Sequence, residues 1–392
     1  MTAGTFAIAQ SGGPTAVINA SLYGFLAHCS GSGCSVLGAV NGINGLVEGN
    51  FADLTGWNVE EDDRLCRMPG AALGSGRRPL KEHDIDRIVD HLRRLRVRGI
   101  ALIGGNGTMW TCSRLAGRAK QLGTDLQVIG IPKTVDNDVM ETDHTPGFGS
   151  AARFVVHAVR DLSVDLRSMA GFEGIRIIET MGRNAGWLAA SALLAAPTGG
   201  EAPLRAYIPE LAFDMDAMLQ DAARMHERFG YGVIVVGEGI RDRSGRALAT
   251  TTLQSGAGGQ VLGGAGGRLA GEVISRLGIP CRCENLGMLQ RCMGALVSEQ
   301  DRTEAVAVGR RAAEALLAGQ TGSMVSIRRE DGPDYGFSLG FAPLERTAGT
   351  ERTVDRRFLT DRNGLPVNQT FLEWLKPLVG TVDSYPNFTL GR

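Results

Sequence analysis

The first third of the chain alternates short apolar runs with segments of helical periodicity. The runs at residues 5–10, 100–103 and 126–131 have the length of buried strands. Between them, residues 82–98 carry apolar side chains at helical spacing (Ile85, Ile88, Val89, Leu92 and Leu95), and a further helix is predicted near 112–121. Strands that alternate with helices form parallel sheets covered on both faces, so this pattern predicts a doubly wound α/β lobe.

The same alternation returns further along the chain and predicts a second lobe of the same class. Helices are expected near 150–167, 185–195 and 268–277, and strands at 175–179 and 232–236. We therefore assign residues 1–146 to a first lobe and 147–302 to a second, and expect part of 303–392 to pack back on the first. The predicted fold class is α/β, with two doubly wound lobes and mostly parallel sheets.

Composition narrows the possible functions. The chain has 392 residues, 43% hydrophobic and 21% charged, as is typical of a soluble globular protein. A formal net charge of −1 gives no general attraction to nucleic acid or to an anionic membrane. No apolar run approaches the roughly 18 residues that span a bilayer, so we expect a cytoplasmic protein. The seven cysteines have no paired metal-binding spacing, and we interpret them as reduced thiols.

Glycine-rich loops follow two of the predicted strands. The first loop contains Gly12 and Gly13, and the second consists of Gly105, Asn106, Gly107 and Thr108. Free N–H groups at the start of a helix attract anions, so both loops are candidate sites for donor phosphates. Arg77, after a Gly-Ser-Gly turn, is a candidate for the same phosphates. The alternatives are a plain tight turn at Gly12 and a solvated side chain at Arg77.

The third predicted strand leads into Pro132-Lys133-Thr134-Val135-Asp136-Asn137-Asp138. A hydroxyl that attacks phosphorus needs a carboxylate to take its proton, and Asp136 is our candidate for this role. Asp138 lies two residues on and points to the same side of an extended segment, where it can help to hold a hydrated Mg²⁺. A turn with solvated carboxylates is the alternative. Beside a phosphate loop, however, the pattern favours phosphoryl transfer.

These segments, with residues 69–77 and Met181-Gly182-Arg183-Asn184-Ala185-Gly186-Trp187, resemble the motifs of phosphofructokinases. The resemblance is stronger to the branch that includes pyrophosphate-dependent enzymes, and its ordered motifs fall within residues 5–302. It implies a phosphofructokinase-like fold and Mg²⁺-dependent phosphoryl transfer from ATP or pyrophosphate to a hydroxyl of a sugar phosphate. The implied partner is thus a small molecule, without nucleic acid or membrane.

The resemblance also implies roles for individual residues. The catalytic group would consist of Asp136 as general base with Thr134, Lys133 and Arg183. The acceptor would contact Met181, Gly182, Glu238 and Arg291, and the metal would lie at Asp138 and Asn106. Arg282 resembles an Arg that reaches into the site of a neighbouring subunit. A homodimer or homotetramer with shared active sites is therefore expected.

Two positions that distinguish the donors in this family disagree here. Gly107 resembles the ATP-dependent type, because a carboxylate there would repel the α-phosphate. Lys133 resembles the pyrophosphate-dependent type, in which an ammonium reaches the donor. Thr111 narrows the room for adenine, whereas such Gly/Lys pairs tend to accompany ATP. The sequence therefore leaves ATP and pyrophosphate open, with ATP first.

The acceptor's terminal phosphate is expected to meet an altered set of residues. Met288 replaces a His or Tyr, Cys292-Met293 replaces Gly-Gly, and Gly174 stands where a second neighbour-subunit Arg is expected. Arg176, two residues further on, is our candidate to compensate. We call the residues expected to bind this terminal phosphate the acceptor clamp. Three hypotheses remain: a 6-phosphofructokinase with an altered acceptor clamp, a kinase for a different sugar or ketose phosphate, and a non-catalytic regulatory paralogue.

Overall fold

The structure is a computed structural model, and it describes residues 4–57, 63–76, 78–196, 202–254, 260–332, 334–360, 362, 364–383 and 385. The first lobe begins with β1 (Thr5–Gln10), α1 (Ile18–Gly31), β2 (Ser35–Ala39), α2 (Ile43–Glu48), β3 (Phe51–Asp53) and α3 (Arg64–Arg67). It continues with α4 (Glu82–Arg94), β4 (Val97–Gly104), α5 (Asn106–Gln121) and β5 (Gln127–Pro132). The core strands β1, β2, β4 and β5 run parallel.

The second lobe consists of α6 (Phe148–Ser168), β6 (Ile175–Thr180), α7 (Trp187–Ser191), β7 (Leu204–Tyr207), α8 (Met215–Phe229), β8 (Gly232–Gly237), β9 (Thr250–Gln254), β10 (Gln260–Leu262), α9 (Ala265–Leu277), β11 (Cys281–Asn285) and α10 (Leu289–Cys292). Its sheet has the strand order β11-β6-β8-β7, and every pair in it is parallel. The predicted fold class is confirmed: both lobes are α/β, with mostly parallel sheets.

The rest of the chain contributes to both lobes. It forms α11 (Glu299–Leu317), β12 (Ser323–Arg329), β13 (Phe337–Pro343), α12 (Leu344–Thr347) and α13 (Gln369–Val379). The first sheet has the order β13-β12-β5-β4-β1-β2-β3, so β12 and β13 extend it. α13 instead packs against α6, where Phe371 and Leu375 join the core of the second lobe. The periodicity beyond residue 321 is weak, and the antiparallel pair β12–β13 was not predicted.

Helix α11 lies directly against α1, and two glycines permit the close approach. A Cβ atom at Gly24 would lie 2.0 Å from the carbonyl oxygen of Val306, and one at Gly309 would lie 1.9 Å from that of Ser21. Only glycine fits at such backbone contacts. The packing brings the N-terminal turn of α11 to the junction of the two lobes, beside the start of α6.

The predicted elements are found with shifted ends. α5, which was expected near 112–121, already begins at Asn106. The helix expected at 185–195 is α7 followed by a 3₁₀ turn. In the part of the chain that the structure describes, no helix has both the length and the apolar character to cross a bilayer.

Candidate functional site

The carboxyl ends of three neighbouring parallel strands bring the predicted donor loops together. The N–H of Ser11, just after β1, donates to the carbonyl of Ile103 in β4 at 2.9 Å. The N–H of Lys133, just after β5, donates to the carbonyl of Gly104 at 3.0 Å. The loops that follow β1, β4 and β5 therefore meet at one edge of the sheet, where open α/β sheets bind their ligands.

The loop at Gly12 is a turn of defined conformation, and Lys133 connects it to the end of β5. Gly12 has φ +77°, a value that glycine tolerates best, and the hydroxyl of Ser75 donates to its carbonyl at 2.6 Å. Lys133 is buried, and its Nζ donates to the carbonyl of Gly13 at 2.6 Å. The ammonium thus lies beside the Gly12–Gly13 turn. Arg77 falls outside the described residues.

The first turn of α5 provides the second donor loop. Gly105 precedes the helix, Asn106 begins it, and Thr108 is buried with its side chain packed over Gly104. Gly107 is exposed, and no described atom would lie within 4 Å of a Cβ at this position. The N–H of Thr108 turns back to the carbonyl of Gly105 at 2.9 Å, so those of Asn106 and Gly107 remain to meet an anionic group at this open end.

The loop after β5, residues 133–143, is the base loop. It is held in a strained shape in which Asn137, a non-glycine residue, has φ +53°. The Asn137 side chain accepts from the N–H of Thr145 at 3.1 Å, and the Thr145 hydroxyl donates to the carbonyl of Thr134 at 2.9 Å. The N–H of Asp136 donates to the Thr134 hydroxyl oxygen at 3.1 Å. The Thr134 hydroxyl also hydrogen-bonds to the Asp138 side chain, which acts against the rise of that carboxyl's pKa, so Thr134 links Asp136 to Asp138.

Four other predicted site residues affect the pKa of Asp136. Burial raises the pKa of Asp136 above its usual range, and the nearby carboxylates Asp138 and Glu238 add to the rise. Arg183 and Lys133 act in the opposite direction. A carboxyl with a raised pKa is a stronger base than an ordinary one, and such shifts are common at catalytic sites. The structure thus brings these residues of the two lobes together.

Asn106 and Asp138 form a pair whose geometry fits Mg²⁺. The Asn106 amide donates from Nδ2 to the Asp138 backbone carbonyl at 3.0 Å and to its Oδ2 at 2.9 Å. The Oδ1 atoms of both residues are buried and have no hydrogen-bond partner among the described residues. Two such oxygens suit a hard cation, because Mg²⁺ takes one or two protein oxygens, several waters and substrate phosphates.

The loop after β6, residues 181–186, is the acceptor loop, and it faces the base loop. Gly182 has φ +141° and Arg183 φ +41°, so this turn is strained as well. The N–H of Arg183 donates to Glu238 Oε1 at 3.2 Å, and the N–H of Met181 donates to Gln290 Oε1 at 3.1 Å. Burial raises the pKa of Glu238. Glu238 thus holds the turn through the backbone N–H groups of Arg183 and Gly182.

The structure corrects the expectation for Arg176. Its guanidinium is buried and donates to Glu173 at 2.8 and 3.0 Å and to Asp165 at 2.7 Å. These ion pairs hold the side chain inside the second lobe, because separating a buried charge from its partners is costly. Arg176 is therefore not free to replace the missing Arg at position 174.

The remaining acceptor-side residues lie at the open edge of the second sheet. Arg282 in β11 has a 68% exposed side chain and an ion pair with Glu173 at 3.7 Å. Met288 is exposed and Arg291 is half-buried. A Cβ at Gly174 would lie 2.5 Å from Ile279 Cγ2 and 2.8 Å from His226 Nδ1. The packing at Gly174 therefore excludes a side chain.

Sequence reasoning missed two groups that hold these loops. Asp301, at the start of α11, accepts from the N–H groups of Gly147 at 2.8 Å and Ser150 at 2.9 Å, at the start of α6. Residues 351–355 of the C-terminal part contact both the base loop and the acceptor loop. No local pattern marks these residues, since their partners lie more than a hundred positions away in the sequence.

Comparison with known proteins gives consistent matches. Residues 5–316 match the family model described as Phosphofructokinase. A sulfofructose kinase from Alkalicoccus urumqiensis is 36% identical over 95% of this chain and 95% of its own length. A pyrophosphate–fructose 6-phosphate 1-phosphotransferase from Xanthomonas campestris pv. campestris is 36% identical over 97% of this chain and 92% of its own. A pyrophosphate-dependent phosphofructokinase structure from Nitrosospira multiformis matches with TM-score 0.87 and 30% identity, covering 100% of this chain and 95% of that one.

Proposed function

Since the chain belongs to the phosphofructokinase family, we propose that it transfers the terminal phosphoryl group of ATP to the 1-hydroxyl of a fructose derivative with an anion at carbon 6. The observation that carries this proposal is the cluster around Asp136. It combines a raised carboxyl pKa, two cations and an oxygen pair suited to Mg²⁺ at the ends of parallel strands. Phosphoryl transfer needs positioning and charge stabilisation of this kind.

Each residue has a role that follows from its position. Asp136 takes the proton of the sugar hydroxyl as its oxygen attacks phosphorus. Thr134 donates a hydrogen bond to the transferred group, and Lys133 and Arg183 balance the charge that develops on the phosphoryl oxygens. Mg²⁺ bound at Asp138 and Asn106 would neutralise donor phosphates. Glu238 accepts a hydrogen bond from a sugar hydroxyl.

ATP as donor is supported by the open space at Gly107. A donor larger than pyrophosphate needs room beyond the β-phosphate, and the first turn of α5 leaves it there. Pyrophosphate is the second candidate, because the buried Lys133 ammonium lies at the Gly12–Gly13 turn and suits a compact donor. The name of the Xanthomonas relative points to the same donor.

The charge near the acceptor clamp favours sulfofructose as a second acceptor beside fructose 6-phosphate. The packing at Gly174 leaves no room for a side chain, and Met288 cannot donate a hydrogen bond. Because Glu173 and Asp165 also hold Arg176 inside the lobe, this part of the clamp offers little positive charge to the terminal anion. A sulfonate carries one negative charge, whereas a phosphate monoester carries about 1.5–2 at pH 7. The weaker clamp matches the single charge, and a relative named sulfofructose kinase is 36% identical. Arg282 would reach the site of a neighbouring subunit in a homo-oligomer.

The test is a matrix of two donors against three acceptors. Purified protein with Mg²⁺ is given ATP or pyrophosphate, together with fructose 6-phosphate, sulfofructose or fructose, and ³¹P NMR follows the products. We expect turnover with ATP and with an acceptor that carries an anion at carbon 6. Asp136→Asn should lower kcat by about 10²–10⁴-fold, since it removes the general base.

Asp125→Asn, an exposed Asp just before the opposite end of β5, is the matched control and should leave turnover unchanged. Full turnover in Asp136→Asn would remove Asp136 from the mechanism. No product from any pair would reject the proposed activity and favour the non-catalytic hypothesis.

A further inference from the structure

A segment far along the chain joins the two loops that carry the reaction. Residues 351–355, here the bridging segment, lie between α12 and a 3₁₀ turn at Arg356–Phe358. The segment supplies none of the residues proposed to bind the donor, the acceptor or the metal. Yet it lies between the base loop after β5 and the acceptor loop after β6 and contacts both.

Its contacts with the base loop fix the backbone around Asp138. The N–H of Arg352 donates to the Asp138 carbonyl at 2.7 Å, and Glu351 forms an isolated β-bridge with Val139. The Arg352 guanidinium donates from Nη1 to the carbonyls of Thr142 at 3.0 Å and Asp143 at 2.6 Å. The loop that carries Asp136 and the Mg²⁺ ligand Asp138 is thus hydrogen-bonded at three carbonyls.

Its contacts with the acceptor loop are equally direct. Asn184, next to Arg183, donates from Nδ2 to Glu351 Oε2 at 2.7 Å. The Arg352 guanidinium lies over the ring of Trp187, 4.6 Å from its centroid. A second connection runs through Glu210.

Glu210 links the acceptor loop to the end of the bridging segment. Its Oε1 accepts from the N–H of Val354 at 2.9 Å, and the same carboxylate accepts from the N–H of Gly186 at 2.9 Å. Two side chains and one carboxylate therefore connect the segment to a single turn of the second lobe.

Burying the charged guanidinium of Arg352 costs free energy, and its partners in the two loops and in the bridging segment offset this cost. Its side chain is 12% exposed, and burial lowers the pKa of the guanidinium. An ion pair with Asp355 at 3.2 Å, the two loop carbonyls and the Trp187 face together satisfy the charge. Only a planar fork can donate to neighbouring carbonyls while it stacks on a ring, so Lys is a poor substitute.

We propose that the bridging segment sets the distance between the base loop and the acceptor loop, and that Arg352 is a positioning residue of the reaction. Misplacement of a base by about 1 Å costs on the order of a hundredfold in rate. The catalytic part of this inference rests on the proposed function. The physical coupling of the two loops does not.

Hydrogen exchange tests the coupling without any substrate. We expect Arg352→Ala to speed amide exchange in residues 138–147 and also in 182–187, on the far side of the segment. Arg357→Ala is the matched control: Arg357 also pairs with Asp355, at 3.7 Å, and stacks on an aromatic ring, that of Phe358. It contacts neither loop in the described contacts, so exchange should change only near residue 357. Arg352→Ala with unchanged exchange in 182–187 would overturn the coupling.

Kinetics test the positioning role. Arg352→Ala should lower kcat by about tenfold to a hundredfold and leave the KM of the donor within about twofold, because the Gly12 and Gly105 loops keep their contacts. Arg352→Lys, which keeps the charge and folds more readily, should recover only part of kcat. If Arg352→Lys matches the unmodified protein, or if kcat is unchanged in both variants, Arg352 is not a positioning residue. Altered exchange in a protein without activity would instead reject the proposed function and leave the coupling standing.

Discussion

The neutral amide of Asn106 leads to a quantitative prediction about the metal site. Asn106→Asp removes both hydrogen bonds to Asp138 and places two carboxylates within about 3 Å of each other. At an effective dielectric constant of about 20, two charges at that distance repel by roughly 5 kcal/mol. The pair avoids part of this repulsion by binding one proton. Keeping an ordinary Asp protonated at pH 7 costs about 4 kcal/mol.

The expected loss of stability without metal is therefore about 2–4 kcal/mol at pH 7, once solvent access to the half-buried pair is allowed for. For a lobe of about 200 residues this lowers Tm by on the order of 5–10 °C. The repulsion raises the pKa of one carboxyl in the folded state only. The loss is thus full only above that raised pKa, shrinks as pH falls below it, and is gone below the unfolded pKa of about 4.

Mg²⁺ should reverse the effect, because a second carboxylate adds a ligand of opposite charge. Melting curves in EDTA measure the loss of stability without metal, and those in Mg²⁺ measure the stabilisation by bound metal. A metal at a hundred times its Kd adds about 2.7 kcal/mol to the free energy of unfolding. Asn50→Asp, the same change at an exposed residue, is the control and should respond to neither metal nor pH. Equal melting temperatures of Asn106→Asp and the unmodified protein in EDTA would refute the proximity argument. An equal Mg²⁺ response would refute the metal site.

Two further substitutions test the donor and acceptor arguments. Gly107→Asp should raise the KM of ATP by about tenfold or more and raise the KM of pyrophosphate less, because the new carboxylate would face the α-phosphate in the space now open at this turn. Steady-state kinetics with both donors measure the two KM values, and equal increases would contradict the argument. Gly174→Ala should destabilise the second lobe by about 1–3 kcal/mol, because the new Cβ would meet Ile279 and His226. Gly271→Ala is the control and should not destabilise the lobe, since the space around its Cβ is open. Equal melting temperatures of the two variants would show that the neighbours of Gly174 move aside at no cost.

The donor side could be predicted from the sequence because its residues lie in short loops after local strands. Gly12, Asn106 and Asp136 each follow an apolar run within a few positions, and parallel strands align such loops at one edge. The fold class follows from the same alternation. The metal pair could be named, but its orientation, with both Oδ1 atoms free, needed the coordinates.

The acceptor side could not be predicted in the same way. Arg176 has the type and spacing of a phosphate ligand, yet Glu173 and Asp165 hold it inside the lobe. Its side-chain direction is set by α6, which packs on that face of the sheet and whose relation to β6 no local pattern reveals. Arg352 was missed for a similar reason, since its partners belong to loops far earlier in the chain.

Asn106 and Lys133 both make the proposed donor site more positive. Asn106 is neutral where an Asp would be negative, and a neutral amide holds a metal ion less strongly than a carboxylate. Lys133 adds a positive charge, and its ammonium lies at the Gly13 carbonyl, where donor phosphates are expected. Each of the two residues makes the net charge of the site more positive by one unit. The protein therefore neutralises part of the donor charge that the metal would otherwise neutralise. If the proposed function is correct, the site would bind a highly charged donor with only Asp138 as carboxylate ligand of the metal, and Gly107 would leave room for the donor at the first turn of α5.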